Sequence, residues 1–422
     1  MIAPPELLDV HRGPLLLAGI DDDPGLDAHR RRVGPLPDLA LDRLLDAATA
    51  GAVRGRGGAG FPFARKLAAV ADARGRRPSR RPVVVVNAAE GEPASAKDEA
   101  LVRRAPHLVL DGAELAARAL GAREVHVVTA QDRSAAGWAV DDALAERATR
   151  GLRWTRHTAE ARFVAGQARA VLELMAGRPG LPVTGWAPAA HEGHRGRPTL
   201  LSNAESWAHL AAVVLHGPAA YAALGTADEP GTTLLTLATP PGPGGRMGRV
   251  RVVEAEHGAA AMTVLDPAAL VSPLLVGGFH GGWVHPRDVP GLTVSSHHLR
   301  GLGLSLGAGA WLSLSDGSCP VTETARYTEF LADESAGRCG PCRHGLPALA
   351  GEVRGLAEGA DTRRRVRELT GLVTGRGACA HPDGTARLVS SLLTRLEDLV
   401  EEHLDGRCGC AAPQRAPRAV AR

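Results

Sequence analysis

A continuous β-branched run at residues 83–87 (VVVVN) constrains the fold of this chain more than any other segment. Because the run lacks polar alternation, it predicts a short strand buried on both faces, as in a parallel sheet. Helical patterning follows at 107–120, and a second apolar run follows at 125–129. Strands that alternate with helices predict a layered α/β domain, which we assign to residues 36–225.

Glycine and proline become dense after this domain, between residues 226 and 315. Short apolar runs at 232–238, 249–254 and 262–265 are typical of strands in that context. A small β-rich domain is therefore expected over 226–315.

Helical patterning returns over residues 316–410, which predicts a helical bundle. The patterned segments are 321–333, 343–357, 361–374 and 384–404. Residues 1–35 are assigned as an N-terminal extension, and residues 411–422 are predicted to be a disordered tail.

Charge and hydropathy exclude several classes of protein. The net charge is only +3 over 422 residues and no long basic block occurs, so nucleic acid is not expected as a partner. No stretch approaches the roughly 20 apolar residues that span a bilayer. The N-terminus lacks the pattern of a targeting signal. A cytoplasmic protein is predicted, with membrane contact only through partner subunits.

A glycine-rich loop follows the predicted helix at 36–53 and has the sequence RGRGGAGF at residues 54–61. It contains G-x-G-x-x-G, but it follows a helix rather than a strand, so the usual dinucleotide fingerprint does not apply. Successive glycines nevertheless let backbone N–H groups approach a flat ring or a phosphate. A structural turn is the alternative interpretation.

A second polar segment, NAAEGEP at residues 87–93, leaves the carboxyl end of the buried strand. Open α/β sheets place their ligands at this edge. The amide of Asn87 and the carboxylates of Glu90 and Glu92 could therefore bind a flavin edge or a nicotinamide nucleotide. A solvated loop with ordinary surface acids is the alternative.

Two residue types are almost absent from the chain. Only two lysines, Lys66 and Lys97, and two asparagines, Asn87 and Asn203, remain in a composition that strongly favours arginine and alanine. Their persistence suggests that substitution at these four positions was costly.

All six cysteines lie in the last quarter of the sequence, at 319, 339, 342, 379, 408 and 410. In a reducing compartment this clustering indicates metal or redox chemistry rather than disulfides. The pair Cys339-Gly-Pro-Cys342 is the strongest signal, although C-x-x-C alone also occurs in zinc sites.

Three motifs occur in order: GRGGAGFP with Lys66, NAAEGEP with Lys97-Asp98, and PTLLSNAES at 198–206. Together they resemble the FMN- and NADH-binding flavoprotein subunit of respiratory complex I. Related diaphorase subunits occur in NAD-linked hydrogenases and formate dehydrogenases. The resemblance implies a Rossmann-like FMN domain, a β-grasp-like middle domain and an all-helical iron–sulfur bundle.

The resemblance also implies roles for individual residues. The glycine loop would face FMN and nicotinamide, Lys66 would meet the flavin phosphate or ring edge, and both asparagines would bond the flavin. The implied cofactor-binding set is Gly55, Arg56, Gly57, Gly58, Gly60, Phe61, Lys66, Asn87, Glu90, Glu92 and Asn203. No side chain is assigned as catalytic.

The chain departs from the family at positions that concern NADH. Phe61 keeps one stacking aromatic, but the second is Ala69, and losing a ring costs on the order of 1 kcal/mol. The family segment GEETAL becomes GQARAV at 166–171, so Gln167 and Ala168 replace the paired glutamates and the cation Arg169 follows them. In the next loop, which aligns poorly, Gly185 and Pro188 replace a lysine and a phenylalanine.

A further departure concerns the cluster. The resemblance gives Cys339, Cys342 and Cys379 as ligands, but the first ligand position is Ala336. Because a cubane normally has four thiolate ligands, a [3Fe–4S] cluster and a [4Fe–4S] cluster completed by another group both stay open. The candidates for that group are Cys319, Cys408, Cys410, His344 and His381. Zinc or an empty site are the alternatives.

The expected function is hydride transfer from NADH to FMN, followed by electron transfer through the cluster to a ferredoxin, a quinone-linked partner or a small iron–sulfur subunit. One alternative keeps FMN but takes electrons from ferredoxin or another carrier. A second alternative is a non-catalytic subunit of a redox complex.

Overall fold

The computed structural model describes residues 2–5, 7–21, 23–76, 79–147, 151–185, 187–242, 245–315 and 317–408. The helices are α1 Leu26–Val33, α2 Leu41–Ala50, α3 Phe63–Arg76, α4 Lys97–Arg104, α5 Pro106–Leu120, α6 Ser134–Ala145, α7 Ala168–Met175, α8 Ala204–His216, α9 Pro218–Ala222, α10 Ser296–Gly301, α11 Pro320–Asp333, α12 Leu346–Ala357, α13 Arg363–Val373, α14 His381–Arg395 and α15 Glu397–Leu404. The strands are β1 Leu8–Val10, β2 Val83–Ala88, β3 Glu124–Ala130, β4 Arg153–Ala159, β5 Thr199–Asn203, β6 Thr232–Ala238, β7 Val250–Glu256, β8 Leu274–Val276, β9 Gly282–Val284 and β10 Ala310–Ser313.

The valine run forms β2, which lies inside a parallel sheet of order β4-β3-β2-β5. Val84 and Val86 belong to the same core cluster as α5 and α8, whereas Val83 and Val85 pack in another cluster that contains residues of α7. The strand is thus buried on both faces, as its unbroken apolar sequence predicts. The layered α/β arrangement is confirmed.

Close packing of α5 on α8 supports one face of this sheet. Gly112 on α5 lies so near the Trp207 carbonyl that a Cβ at this position would clash with it. The indole of Trp207 donates hydrogen bonds to the carbonyls of Ser202 and Val85. These contacts hold α8 against the carboxyl end of β5, where the predicted Asn203 lies.

A second sheet is mixed, with the strand order β1-β7-β6-β10-β8-β9. Strand β1, from the first 35 residues, pairs in parallel with β7. The N-terminal segment is also held by Glu254 of β7, which accepts hydrogen bonds from the backbone amides of Leu16 and Leu17.

One predicted strand is wrong. Part of 262–265 forms a 3₁₀ turn, Ala261–Thr263, because the Thr263 hydroxyl donates to the Ala260 carbonyl at 2.7 Å and competes with extended pairing.

The C-terminal region is helical, from α11 to α15. The segment predicted at 343–357 begins with a π-helical turn at Pro341–Gly345, which carries Cys342. The segment predicted at 384–404 is two helices, because the backbone leaves helical geometry at Leu396. The tail 411–422 lies outside the described residues.

No helix among the described residues is long and apolar enough to cross a membrane. The structure is a mixed α/β protein with a parallel sheet and a helical C-terminal region. The domain boundaries and the Rossmann-like and β-grasp-like assignments stay predictions.

Candidate functional site

The glycine-rich loop is closed on itself. The Gly55 amide donates to the Phe61 carbonyl at 2.8 Å, and the backbones of Arg54 and Pro62 form an isolated antiparallel β-bridge. Gly58 and Gly60 have φ values of 98° and 60°, which residues with a side chain rarely adopt. Glycine is therefore required here for the turn itself.

Contacts with α8 fix the loop above the end of β5. The Arg56 amide donates to the Ser206 hydroxyl at 2.8 Å, and its guanidinium donates to the Thr232 carbonyl at 2.9 Å. A Cβ on Gly57 would lie 3.9 Å from the Cβ of Asn203, so glycine leaves an open cradle between the two. Phe61 is 45% exposed at the far end of the loop.

The two asparagines of the chain lie at the carboxyl ends of β2 and β5. The Asn87 amide donates to the Gly166 carbonyl at 2.7 Å and accepts from the Ala89 amide at 3.2 Å. Asn203 caps α8 by accepting from Ser206, and its Nδ2 donates to Asp98 at 3.2 Å.

The two lysines flank these asparagines. Lys66 donates to the Leu201 carbonyl on β5 at 2.8 Å, and burial lowers the pKa of its ammonium group. Lys97 lies in an ion cluster with Asp98 at 3.0 Å and Glu205 at 2.9 Å. Burial opposes its charge, but these carboxylates outweigh it and raise the pKa of Lys97. The cluster thereby fixes Asp98, the partner of Asn203.

The two predicted carboxylates have partners inside the protein. Glu90 accepts from the Ser95 hydroxyl, and the Arg133 guanidinium lies 3.8 Å away. Glu92 accepts from the backbone amide of Phe279 at 2.8 Å and is buried. Burial raises the pKa of Glu92 to about 7. Both acids therefore hold the segment 87–93 in place.

Two open clefts border these loops. The first, with about 680 Å³ of empty space, lies between the glycine loop, Lys97, Glu205 and the segment 304–309. The second, of about 640 Å³, lies beside Glu90, Phe163 and Phe330. Sequence reasoning missed Glu205, Phe163 and the segment 304–309. The glycines of GLGLSLGAG at 301–309 were a signal for the last of these.

The residues fit FMN. The first cleft has room for a flat ring and a phosphate, and the backbone of Gly55 and Gly58 and the cations Arg56 and Lys97 line it. The asparagine amides lie at the neighbouring strand ends. Within the described residues, the buried Nε of Arg56 has no hydrogen-bond partner, which leaves a donor at the site.

The three predicted cysteine ligands come together from two segments. The sulfur atoms of Cys339 and Cys342 are 3.4 Å apart, and Cys379 carries a hydrogen bond from the Gln167 side chain. Within the described part of the chain these thiols do not form a group spaced for a single ion. Thiolates of this kind are the ligands that iron–sulfur clusters use.

Several candidates for the missing ligand are engaged elsewhere. Both ring nitrogens of buried His381 are bonded, one to the Leu331 carbonyl at 2.7 Å and one to His280 at 3.1 Å. Cys319 contacts His403 at 3.4 Å. His344 is exposed, and Ala336 is half-buried. Cys410 lies outside the described residues.

The altered NADH positions lie near the same loops. Ala69 is half-buried on α3. Arg169 on α7 donates to the Ala187 carbonyl, and its guanidinium fills the space beside Gly185. The arginine is thus held by the loop in which the family carries its lysine and phenylalanine.

Comparisons with known proteins agree with this geometry. Residues 49–212 match the family model of the Nuo51 FMN-binding domain, and residues 322–403 match that of the NADH-ubiquinone oxidoreductase-F iron-sulfur binding region. The F-type subunit of NADH-quinone oxidoreductase from Streptomyces coelicolor is 29% identical, over 94% of this chain and 92% of that protein. Its counterpart from Mycobacterium tuberculosis is 27% identical, over 94% and 91%.

The solved structures give a similar result. The crystal structure of an NAD⁺-reducing [NiFe]-hydrogenase in the air-oxidized state matches with a TM-score of 0.79 and 26% identity, covering 94% of this chain and 68% of that chain. The two family models together match more than half of the sequence, in the regions that hold the glycine loop and the cysteines. The chain is thus similar over nearly its whole length to F-type subunits of NADH-quinone oxidoreductases, and it matches the models of both their FMN-binding domain and their iron–sulfur binding region.

Proposed function

We propose that this chain oxidises NADH at bound FMN and passes the electrons through an iron–sulfur cluster to another subunit. One observation carries the proposal: the adjacent residues Gly166 and Gln167 contact both sites. The Gly166 carbonyl accepts a hydrogen bond from the side-chain amide of Asn87, and the side chain of Gln167 lies close enough to the thiol of Cys379 to act on its pKa. The flavin site and the cluster site are therefore neighbours, as electron transfer between them requires.

Bound FMN supplies two-electron acceptance from a nicotinamide and one-electron release. The chain supplies the binding and orientation. Backbone amides of the glycine loop approach the ring, and Asn87 and Asn203 orient it from the ends of two strands. Lys66 places a cation beside β5, and Cys339, Cys342 and Cys379 hold the cluster.

The partner is proposed to be an acidic iron–sulfur protein, either a small subunit of a larger complex or a ferredoxin. Three exposed arginines, Arg338, Arg343 and Arg376, flank the cysteine ligands in sequence. A cationic rim around a redox centre favours an acidic partner and speeds its association at low salt. A cytoplasmic location stays part of this proposal.

The test is an anaerobic NADH titration of the purified protein, followed by visible absorption. We expect flavin absorption that NADH bleaches, together with reduction of the cluster. Gly57→Leu fills the cradle beside Asn203 and should abolish flavin binding. Gly371→Leu, at an open position on α13, is the matched control and should keep it. A colourless wild type would refute the flavin site.

A second candidate function keeps FMN but takes electrons from a reduced carrier protein. It is favoured by Ala69 and by Arg169, a cation held beside the two positions at which the family carries glutamates. A flavin that reduced ferredoxin bleaches and NADH does not would support this alternative and refute NADH as donor.

A further inference from the structure

Three side chains that the proposed function does not use meet at the far end of the helical region. One ligand atom each from Cys319, His403 and Cys408 lies within 4.8 Å of the others. The group contains none of the three cysteines assigned to the iron–sulfur cluster. It is formed by the residue before α11 and by the end of α15 with the turn that follows.

The sulfur of Cys319 is buried beside hydrogen-bond donors. Cys319 is the N-cap residue of α11, it is 1% exposed, and the backbone amides of Val321 and Thr322 bond its sulfur. Such donors stabilise the thiolate, which is the form of cysteine that binds a metal.

His403 has the geometry of a metal-ligating imidazole. Its Nε2 donates to the carbonyl of Ala357 at 3.0 Å, which fixes the ring. Its Nδ1 consequently faces the sulfur of Cys319, at 3.4 Å. A backbone carbonyl on the outer nitrogen is the usual partner of a histidine that binds metal through the other nitrogen.

A turn after α15 brings Cys408 back to this pair. Gly406 has a φ of 70°, and the amides of Arg407 and Cys408 both donate to the carbonyl of Glu402. The turn needs glycine at that position, because left-handed geometry strains other residues. Cys408 is half-buried and takes part in a disulfide.

We propose that the reduced protein binds one Zn²⁺ ion through Cys319, His403 and Cys408. Two thiolates and an imidazole are ligands that Zn²⁺ prefers. The ion ties the end of α15 to the start of α11, so the site is structural and separate from electron transfer.

Zinc binding requires reduction of the disulfide that contains Cys408. A dithiol reductant transfers two electrons and two protons to that disulfide, yielding two cysteine thiols and the cyclic disulfide of the reductant. The ligand thiols of Cys319 and Cys408 then each lose a proton to solvent when Zn²⁺ binds. Oxidation therefore releases the ion, and reduction restores the site.

The experiment uses the full-length protein, with flavin and iron in place, reduced with a dithiol, exposed to ZnCl₂ and desalted. We expect about one tightly held zinc per chain, with sulfur and nitrogen ligands in the zinc-edge X-ray absorption spectrum. Cys319→Ser and Cys408→Ser should each lower zinc retention at least about tenfold, with unchanged iron and flavin. Two separate variants keep the test valid if one of them fails to fold.

Cys339→Ser is the reciprocal control, because it should lower iron and leave zinc unchanged. His344→Gln is the matched histidine control for His403→Gln, since His344 is exposed. The proposal is refuted if the reduced wild type retains no zinc, or if Cys319→Ser and Cys408→Ser retain as much as wild type. Loss of zinc in Cys339→Ser alone would also refute it, by placing the ion at the cluster cysteines.

Discussion

Asn87 and Asn203 lie directly opposite each other, as register partners at the carboxyl ends of β2 and β5. Among the described residues, the Asn87 amide donates one hydrogen bond, to the Gly166 carbonyl, and keeps its second N–H for a ligand. The Nδ2 of Asn203 donates to both oxygens of Asp98 at 3.2 Å, which holds this side chain in place. A ring lying across this sheet edge would thus meet two amide side chains that are already oriented.

Asn203 both caps a helix and faces the proposed flavin, and two substitutions separate these roles. Asn203→Ala should lose the cap, at about 1 kcal/mol of unfolding free energy, and should also weaken FMN binding. Asn203→Ser keeps a capping oxygen but lacks the amide, so it should retain stability while FMN binds about tenfold more weakly. Thermal unfolding and fluorescence titration with FMN measure the two effects. FMN affinity equal to wild type in the serine variant would contradict the assigned role.

Lys66 should stabilise reduced FMN through its charge. Lys66→Gln removes a cation beside β5, so we expect weaker FMN binding, by about tenfold, and a more negative flavin midpoint potential. A redox titration followed at the flavin band measures the potential. Arg65→Gln is the control, because Arg65 neighbours Lys66 on α3 but is exposed. An equal shift in both variants would show a general charge effect instead.

Glu92 should make stability depend on pH. Burial raises its pKa from 4.5 to about 7, so the folded state binds a proton more tightly than the unfolded state. The stabilisation is complete below pH 4.5 and is lost as pH rises through about 7. Over this window it amounts to about 3 kcal/mol.

Glu92→Gln removes this titration, so its melting temperature should fall less than that of wild type between pH 5 and pH 8. Glu192→Gln, at an exposed carboxylate, should behave like wild type. Parallel melting curves for wild type and Glu92→Gln across this range would show that Glu92 does not titrate there.

Secondary-structure elements could be predicted from the sequence where an unbroken apolar run indicated burial. The valine run of β2 and the uncharged run TTLLTLA at 232–238 form strands, because continuous stretches without charged residues favour burial in a sheet. The strand predicted at 262–265 does not form, because a turn closed by the hydrogen bond from the Thr263 hydroxyl to the Ala260 carbonyl competes with strand pairing in this short segment. The break at Leu396 has no signal in the helical pattern, which continues on both sides.

The predicted site residues came from sequence motifs and from rare residue types. The lysines and asparagines stood out against an arginine-rich composition, but nothing in the sequence showed that Glu90 and Glu92 bond Ser95 and Phe279. The link through Gln167 to Cys379 joins residues more than two hundred positions apart. Such contacts depend on how the helical region packs against α7, which local patterns do not encode.

Restoring an aromatic ring should improve the nicotinamide site. Ala69→Phe supplies the second stacking ring that the family carries, so the KM for NADH should fall about fivefold with kcat little changed. Steady-state reduction of an artificial acceptor measures both constants. Ala68→Phe adds the same ring at the neighbouring position on α3 and should not lower the KM. Unchanged KM in the Ala69 variant, with full FMN content, would argue against NADH stacking at this position.

Ala336 stands at the first ligand position of the cluster. Two of the side chains that could replace it as a ligand, His381 and Cys319, already bond to other groups. His381 has both nitrogens bonded, and Cys319 lies with His403. We therefore expect the wild type to hold [3Fe–4S], with about three irons and an EPR signal in the oxidised state.

Ala336→Cys supplies a fourth thiolate, so iron should rise to about four per cluster and the oxidised EPR signal should disappear. Ser335→Cys, one residue away and likewise half-buried, is the control and should keep the wild-type cluster. Anaerobic reconstitution followed by iron and sulfide analysis and EPR measures the change. If wild type and Ala336→Cys hold the same [4Fe–4S] cluster, another group already serves as the fourth ligand, and the three-iron assignment is wrong.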